Sequence, residues 1–178
     1  MRGGGVGFYI KENISFEVIN HCSHFENKIF ESITLLLSHP NNFKFYVTSL
    51  YRSNGTLPNV SQVEQKNRFD FHFENLLSYL STKNQKSFIF SDSNIDLLNC
   101  TPNSPAHEYI NTVLSHGFIQ TLTKATRIQG ASSSLIDHII TNCTNATFTT
   151  GSILTDISDH FPTYILNGKN KKLNEKKH

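Results

Sequence analysis

An acidic residue and an amide stand two positions apart, directly after a run of apolar residues. Phe88, Ile89 and Phe90 lead into Asp92 and Asn94, and this pattern predicts a buried strand that ends in polar side chains. Residues i and i+2 of a strand point to the same face, so we expect the carboxylate and the carboxamide to converge on one spot. Oxygen ligands of this kind suit Mg²⁺ or a phosphate group. The alternative is an ordinary turn rich in Asp, Asn and Ser.

Three further segments carry polar side chains at the ends of predicted strands. They are Tyr51-Arg52, Asp137-His138 and Ser158-Asp159-His160. A buried carboxylate is costly unless it is paired, so we expect Asp137 to bond His160 and to fix the tautomer of that histidine. His160 would then serve as a general acid or base, or stabilise charge in a phosphoryl transition state. Asp159 would bind a metal ion or position water together with Asp92 and Asn94.

Each of these groups also has an ordinary structural explanation. The segment 158–162 would equally form a turn before an edge strand. Strand alternation points His138 away from Asp137, which favours a structural or surface role for this histidine. Tyr51 would also suit a core position at a strand end.

The spacing of apolar residues predicts the elements that must position these groups. Helical spacing runs over 62–80, and again over 107–114 with Gly117 as the stop. In the second helix the predicted buried stripe comprises Tyr109, Ile110, Val113 and Leu114. Strands are predicted at 6–10, 16–19, 32–37, 43–51, 88–90, 118–122, 134–141 and 161–166. The sum is a mixed α/β chain without an internal repeat or an interdomain linker.

Composition narrows the class of protein. The 178 residues are 37% hydrophobic, which suits one domain with a packed core. The net charge is only +2, and several lysines lie in the last ten residues, so the body of the chain has no basic field that by itself indicates nucleic acid. The Lys-rich segment 167–178 is expected to be a disordered tail.

Cysteine spacing and hydropathy indicate the compartment. Cys22, Cys100 and Cys143 are widely spaced and form no CxxC pair, which argues against a disulfide framework or a zinc site and for a reducing environment. The N-terminus lacks the apolar segment of a signal peptide, and no apolar run approaches the length of a membrane span. We therefore expect an intracellular protein, in the cytoplasm or the nucleus, with no membrane partner.

Together these motifs resemble the endonuclease/exonuclease/phosphatase family, specifically the apurinic-endonuclease-like domain of LINE-type (non-LTR) retrotransposons. The matching segments are 2–7 (RGGGVG), 49–52 (SLYR), 88–96 (FIFSDSNID), 126–127 (TR), 133–142 (SSLIDHIITN) and 156–160 (DISDH). Their order and spacing agree from residue 2 to about residue 166. The resemblance therefore predicts a family domain over 1–166, followed by the tail at 167–178.

The resemblance implies a fold of the α/β (α+β) class: a DNase I-like four-layer sandwich of two β-sheets flanked by helices, here missing its first strands. It implies Mg²⁺-dependent hydrolysis of phosphodiesters, with Mn²⁺ as a possible substitute. DNA is the implied partner, together with a reverse transcriptase domain in a full-length parent.

The resemblance also implies a role for each matched residue. Asp92 would orient or deprotonate the attacking water, and Asn94 would support it and bind phosphate. His160, held by Asp137, would contact the scissile phosphate, and Tyr51 would bond a phosphate oxygen. The remaining implied site residues are Asp159 near the metal, and Thr126, Arg52 and Ser158 on the substrate side.

Two departures from the family pattern alter these expectations. The family sequence Gly-Asp-Phe-Asn is here Ser91-Asp92-Ser93-Asn94. The family also has a strand ending in Asn and a loop with a metal-ligating Glu before the glycines, where this sequence has no residues, and Glu31 is not assigned that role. We therefore expect weakened metal binding and an impaired enzyme. Two alternatives remain: a non-catalytic remnant that binds nucleic acid or protein, and a phosphoesterase acting on a smaller substrate.

Overall fold

The computed structural model describes residues 5–39, 43–144 and 148–167, so the predicted tail lies almost wholly outside the described residues. Eleven strands and two helices are present in these ranges. The strands are β1 (Ser15–Val18), β2 (His24–Glu26), β3 (Phe30–Ser38), β4 (Lys44–Arg52), β5 (Lys86–Asp92), β6 (Ile119–Gln120), β7 (Arg127–Gln129), β8 (Ser132–Ser134), β9 (Asp137–Thr141), β10 (Phe148–Ser152) and β11 (Thr163–Asn167). The helices are α1 (Gln62–Ser81) and α2 (Pro105–Ser115).

One mixed sheet organises the described chain. Its seven strands follow the order β1-β3-β4-β5-β9-β6, and β2 also pairs with β3. Strands β4 and β5 are parallel and joined through α1, whereas the other pairs are antiparallel. Two hairpin-like pairs, β7–β8 and β10–β11, stand outside this sheet.

Helix α1 forms where the sequence predicts it. The side chain of Ser61 caps its first turn by accepting a hydrogen bond from the backbone N–H of Glu64, at 3.1 Å. The apolar residues at helical spacing are all buried against the sheet: Phe69, Phe73, Leu76, Leu77 and Leu80. The predicted periodicity is therefore confirmed for this helix.

Helix α2 begins at a Ser104 cap followed by Pro105 and ends before Gly117, whose φ of 76° is the left-handed conformation that glycine adopts readily. The predicted stop is thus confirmed. The predicted buried stripe is too wide, because Leu114 is 54% exposed whereas Tyr109 and Val113 are buried. The helix contacts the core through a narrower stripe than its apolar residues suggest.

The large sheet has a core on each of its two faces. The helix side holds the larger cluster, in which α1 and α2 pack on residues such as Leu50, Ile89 and Ile140. The opposite face carries a smaller cluster around Leu135 and Ile139, against which Ile165 of β11 packs. The predicted site residues Tyr51, Asp92 and Asp137 lie on this second face.

The predicted strand at 6–10 is wrong, since this segment forms no ladder in the described residues and Tyr9 is fully exposed. An apolar run forms a strand only where a neighbouring strand accepts its backbone hydrogen bonds. The short strands β2, β7, β8 and β10 were not predicted, because their three to five residues are polar or lack alternation. Neither helix within the described ranges is long and apolar enough to cross a bilayer.

Candidate active site

A row of polar side chains lies at one end of the strands, on the face of the large sheet opposite the two helices. Tyr51 of β4 is paired in register with Asp92 of β5, and Asp92 is paired with Asp137 of β9. Glu31 of β3 is the register partner of Tyr51. Register partners share a face of the sheet, so these four residues project to the same side. The sequence predicted three of them as a group, but gave no signal that Glu31 joins their row.

Asp137 and His160 form a hydrogen-bonded pair. The Nδ1 atom of His160 lies 3.1 and 3.2 Å from the two carboxylate oxygens of Asp137. A carboxylate accepts, so Nδ1 is the protonated nitrogen and Nε2 remains available for another partner. The pairing predicted from the sequence is present, and the His160 side chain is 32% exposed, so it is accessible from solvent.

Asp92 carries an incompletely compensated charge. Burial raises the pKa of its carboxyl, and the negative charge of Asp137 raises it further. His160, the backbone N–H of Asn94 and Arg127 act in the opposite direction without reversing this increase. Two neighbouring carboxylates with this electrostatic balance attract a cation or a proton.

Asn94 does not take the position that strand alternation predicts. Strand β5 ends at Asp92, and Asn94 has a φ of 51°, in the left-handed region. Its backbone N–H donates to the Asp92 carboxylate at 3.3 Å, which is the turn geometry that the alternative interpretation described. Its side-chain N–H₂ group donates to the backbone oxygen of Arg52 at 2.8 Å. Asn94 therefore ties the end of β5 to the end of β4.

Thr126 is completely buried, and its predicted place on the substrate side remains a prediction. Its hydroxyl oxygen accepts hydrogen bonds from the backbone N–H groups of Ile136 and Asp137, at 3.2 and 3.0 Å. The Thr126 backbone also accepts from the N–H of Phe161 at 2.7 Å. Thr126 thus holds both the strand that carries Asp137 and the loop that carries His160.

The loop that carries His160 is anchored by backbone pairing. His160 forms an isolated β-bridge with Arg127, and the backbone N–H of Ile128 donates to the backbone oxygen of Asp159 at 2.8 Å. The Ser158 hydroxyl accepts from the backbone N–H of His160 at 3.2 Å. Ser158 therefore buttresses His160, and its predicted substrate contact remains a prediction.

Asp159 points its carboxylate at Arg127. The Nε atom of Arg127 donates to Asp159 Oδ2 at 2.8 Å, and this guanidinium lowers the pKa of the Asp159 carboxyl. In the cleft, the group whose ligand atoms lie within 4.8 Å of one another consists of Asp92, Asp137 and His160, and does not include Asp159. The metal-binding role of Asp159 therefore remains a prediction, and the sequence gave no signal for its Arg127 partner.

Arg52 lies on the opposite side of the sheet from Asp92. Its guanidinium carbon is 5.0 Å from the centre of the Phe69 ring, and Nη1 donates to the backbone oxygen of Ser93 at 3.3 Å. Burial lowers the pKa of Arg52. The side chain lines a separate cavity of about 440 Å³ on the helix side, apart from the cleft beside Asp92, and its predicted substrate role remains a prediction. Strand alternation explains this, because Arg52 immediately follows Tyr51.

Ser91 and Ser93, on either side of Asp92, face the helices. Ser93 is fully buried, donates to the backbone oxygen of Ile136 at 3.2 Å and lies 3.2 Å from Nδ1 of His138. The Ser91 hydroxyl is also buried, and among the described residues it has no hydrogen-bond partner. Both positions are therefore polar sites in the helix-side core.

His138 is a buried structural residue, as one of the two predicted roles required. Its Nε2 donates to the backbone oxygen of Leu135 at 3.1 Å, so Nδ1 accepts from the Tyr109 hydroxyl, also at 3.1 Å. Burial lowers the pKa of His138 to about 4. The imidazole is therefore neutral at physiological pH.

The donor set in the cleft fits a divalent cation. Asp92 and Asp137 offer adjacent carboxylates in register, and burial first, then the negative charge of Asp137, raises the pKa of Asp92. Hard cations such as Mg²⁺ favour oxygen ligands of this kind. The surrounding cleft has a volume of about 480 Å³. Its lining includes Gly5, Val6, Tyr51, Asp92, Asp137 and Thr163.

Comparison with known proteins identifies the fold. No family model and no curated protein sequence matches the chain. A solved endonuclease/exonuclease/phosphatase family protein from Bacteroides thetaiotaomicron superposes with a TM-score of 0.52 at 13% identity, over 84% of this chain and 63% of that one. The inositol polyphosphate 5-phosphatase domain of SPsynaptojanin gives 0.54 at 11% identity, over 86% and 54%. The Xenopus laevis APE2 catalytic domain gives 0.50 at 17% identity, over 77% and 54%.

These likenesses show that the chain has the DNase I-like fold of endonuclease/exonuclease/phosphatase proteins, as the sequence predicted. The chain spans between about half and two thirds of the length of these solved proteins.

Proposed function

We propose that this chain is a domain of the endonuclease/exonuclease/phosphatase family that hydrolyses phosphoesters in the cleft beside Asp92. The observation that carries the proposal is the Asp137–His160 pair next to a second, desolvated carboxylate on the open face of the sheet. The fold supports it, since the solved proteins of similar fold include an inositol polyphosphate 5-phosphatase domain. Fold alone does not fix an activity, and the arrangement of these side chains supplies the chemical argument.

The proposed proton transfers follow from the tautomer of His160. Asp137 holds the Nδ1 proton, so the protonated imidazole donates from Nε2 to an oxygen of the phosphate. Asp92 orients the water oxygen toward phosphorus and takes one proton from the water as it attacks. The new bond joins that oxygen to phosphorus, the bond to the leaving oxygen breaks, and the leaving oxygen takes the Nε2 proton. Tyr51 lies beside Asp92 in the cleft, where its hydroxyl would bond a phosphate oxygen.

Asp92 and Asp137 are the residues that would hold a divalent cation, with Asp159 as a further ligand predicted from the sequence. Such an ion, when bound, supplies neutralisation of the negative charge on the phosphate. We propose Mg²⁺ as the ion, with Mn²⁺ as a substitute, because the two in-register donors are carboxylates.

We further propose DNA as the substrate and a nicking endonuclease of a LINE-type retrotransposon as the parent activity. The motifs at 133–142 and 156–160 support this finer assignment, and they supply the paired Asp137 and His160. In a longer parent protein, a reverse transcriptase domain would use the nick. A phosphoesterase acting on a smaller substrate remains the alternative, since the same cleft chemistry serves both.

Plasmid nicking tests the proposal. Supercoiled plasmid is incubated with the chain over a wide range of Mg²⁺ and Mn²⁺ concentrations, with EDTA as a blank. We expect His160→Ala to lower the nicking rate by about 10²–10⁴-fold, the usual loss for removal of a general acid or base. Asp92→Asn is expected to act in the same direction. His107→Ala, in the first turn of α2, is the matched control and should leave the rate unchanged.

The outcomes separate the functional classes. Nicking that survives His160→Ala and EDTA would contradict the proposed chemistry. Folded protein that cleaves a phosphomonoester, but not plasmid, would establish the smaller-substrate alternative. Folded protein that cleaves neither, yet binds DNA equally well after Asp92→Ala and His160→Ala, would establish a non-catalytic binding role.

A further inference from the structure

A second group of metal-ligating side chains lies on the helix side of the sheet, opposite the cleft, between the edge strand β2 and helix α1. It consists of His24 and Glu26 on β2 and His72 on α1, and we call it the β2–α1 cluster. One ligand atom from each of the three lies within 4.8 Å of the others. His24 and Glu26 are two residues apart on a strand, so they share the face that α1 covers.

Glu26 and His72 are already joined by a short contact. His72 Nε2 lies 2.6 Å from Glu26 Oε2. The His24 ring lies beside this pair, with its centre 4.0 Å from that of His72. Within the described residues, the nitrogens of the His24 ring have no hydrogen-bond partner, although its backbone N–H is bonded to Ser32. An imidazole with a free nitrogen therefore stands next to a histidine–carboxylate pair.

The surroundings of the cluster hold Glu26 in place. Arg68 Nη1 lies 3.1 Å from the second oxygen of Glu26, and Arg68 Nη2 also contacts Glu64 at 2.5 Å. Glu26 Oε1 is thus occupied by Arg68, whereas Oε2 faces His72. Outer partners of this kind orient a ligating carboxylate, and Glu64 offsets the positive charge of Arg68. His72 is also fixed from the other side, by stacking on Phe30 at 5.4 Å.

We propose that His24, Glu26 and His72 bind a transition-metal ion of the Zn²⁺ class, and that this ion joins β2 to α1. Two histidines and one glutamate are an established ligand set for zinc, with a fourth position left to water. Donor atoms of a tetrahedral site with bonds of about 2.0–2.1 Å lie about 3.4 Å apart, so side-chain shifts of about an ångström would close the site. The exposed position of His24 gives the ion access from solvent.

The nitrogen donors separate this site from the one in the cleft. Imidazole favours Zn²⁺, Co²⁺, Ni²⁺ and Cu²⁺, whereas the carboxylates of Asp92 and Asp137 favour Mg²⁺. The β2–α1 cluster does not belong to the proposed catalytic machinery, so its occupancy should be measurable with the cleft disabled.

Titration of the metal-free chain with Co²⁺ and Zn²⁺ tests the proposal. We expect one equivalent of Co²⁺ to give the visible absorption of a low-symmetry nitrogen and oxygen site, and Zn²⁺ to displace it. His24→Asn and Glu26→Gln should each weaken binding by at least tenfold. His107→Asn on α2 is the matched control, and Asp92→Asn disables the cleft; both should retain binding.

Thermal unfolding gives a second measurement. Zn²⁺ should raise the melting temperature of the unaltered chain and of Asp92→Asn, but not that of His24→Asn, because the ion binds the folded state. His24 is exposed on an edge strand, so its replacement should preserve the fold and keep the comparison valid. Folded protein that binds no Co²⁺, equal binding in His24→Asn, or loss of binding in Asp92→Asn alone would each overturn the proposal.

Discussion

Replacement of Thr126 by valine should destabilise the chain and its catalytic pair together. Valine has nearly the same shape as threonine but lacks the hydroxyl that accepts from the backbone N–H groups of Ile136 and Asp137. Thr126 is fully buried, so water cannot easily replace that oxygen. Each buried N–H left without a partner costs about 1–3 kcal/mol. We therefore expect Thr126→Val to lower the free energy of unfolding by roughly 2–6 kcal/mol.

Thr126→Ser is the matched control. Serine keeps the oxygen and removes one methyl group, which costs about 1 kcal/mol in a buried position. Urea denaturation followed by circular dichroism measures both variants against the parent chain. If valine and serine lower the stability equally, or if valine lowers it by less than about 1 kcal/mol, the two hydrogen bonds do not have the importance assigned to them.

The same pair of variants tests how the site is held. Thr126 also supports the His160 loop through its backbone oxygen, so loss of its hydroxyl displaces the Asp137 end of the pair while leaving that loop contact available. A displacement of about 1 Å in a catalytic group costs on the order of 10²-fold in rate. In conditions where both variants are folded, Thr126→Val should therefore nick plasmid far more slowly than Thr126→Ser.

Two further predictions concern stability. The pKa of His138 is lowered from 6.5 to about 4, so the folded state binds fewer protons than the unfolded chain below pH 6.5. The free energy of unfolding should therefore be constant above this pH with respect to His138 and fall by about 3 kcal/mol between pH 6.5 and 4. Urea denaturation across this pH range measures this fall in the free energy of unfolding, and the fall should be about 3 kcal/mol smaller in His138→Gln. If His138→Gln has the same pH profile as the parent chain, His138 is not the source of the fall. Leu77→Ala, at a fully buried position of α1, should cost about 2–5 kcal/mol, whereas Leu114→Ala on the exposed side of α2 should cost less than about 1 kcal/mol. Equal shifts of the denaturation midpoint would show that the burial of α1 is misassigned.

Two features of the sequence made much of the fold predictable: long segments with periodic apolar residues, and a carboxylate in an apolar strand, whose burial is unfavourable without a partner. Helix α1 is 20 residues long, and its buried apolar residues recur at helical spacing on one face from Phe69 to Leu80. The Asp137–His160 pair was predictable for a different reason, since a carboxylate inside an apolar strand needs a partner. In both cases a single physical requirement left few alternatives.

The sequence did not predict the geometry of several side chains that depends on a local boundary. The geometry of Asn94 depends on β5 ending two residues earlier, and periodicity does not fix such an end. Arg52 follows Tyr51 by one residue, so the same strand that brings Tyr51 to the cleft turns Arg52 to the helices. The sequence suggests only that Thr126 is a polar residue near the site. Its complete burial depends on how two distant segments, one with Asp137 and one with Phe161, pack around it.

The alternation of β5 also changes how the two serine substitutions are interpreted. Ser91 and Ser93 face the helices, where Ser93 contacts His138, whereas Asp92 faces the cleft with Tyr51 and Asp137. A change on the helix side leaves the set of groups in the cleft unaltered. It acts instead on the buried layer behind Asp92, because Ser91 and Ser93 flank Asp92 in the chain and are both buried. These departures from the family pattern therefore affect how firmly Asp92 is held, and they do not by themselves argue against catalysis.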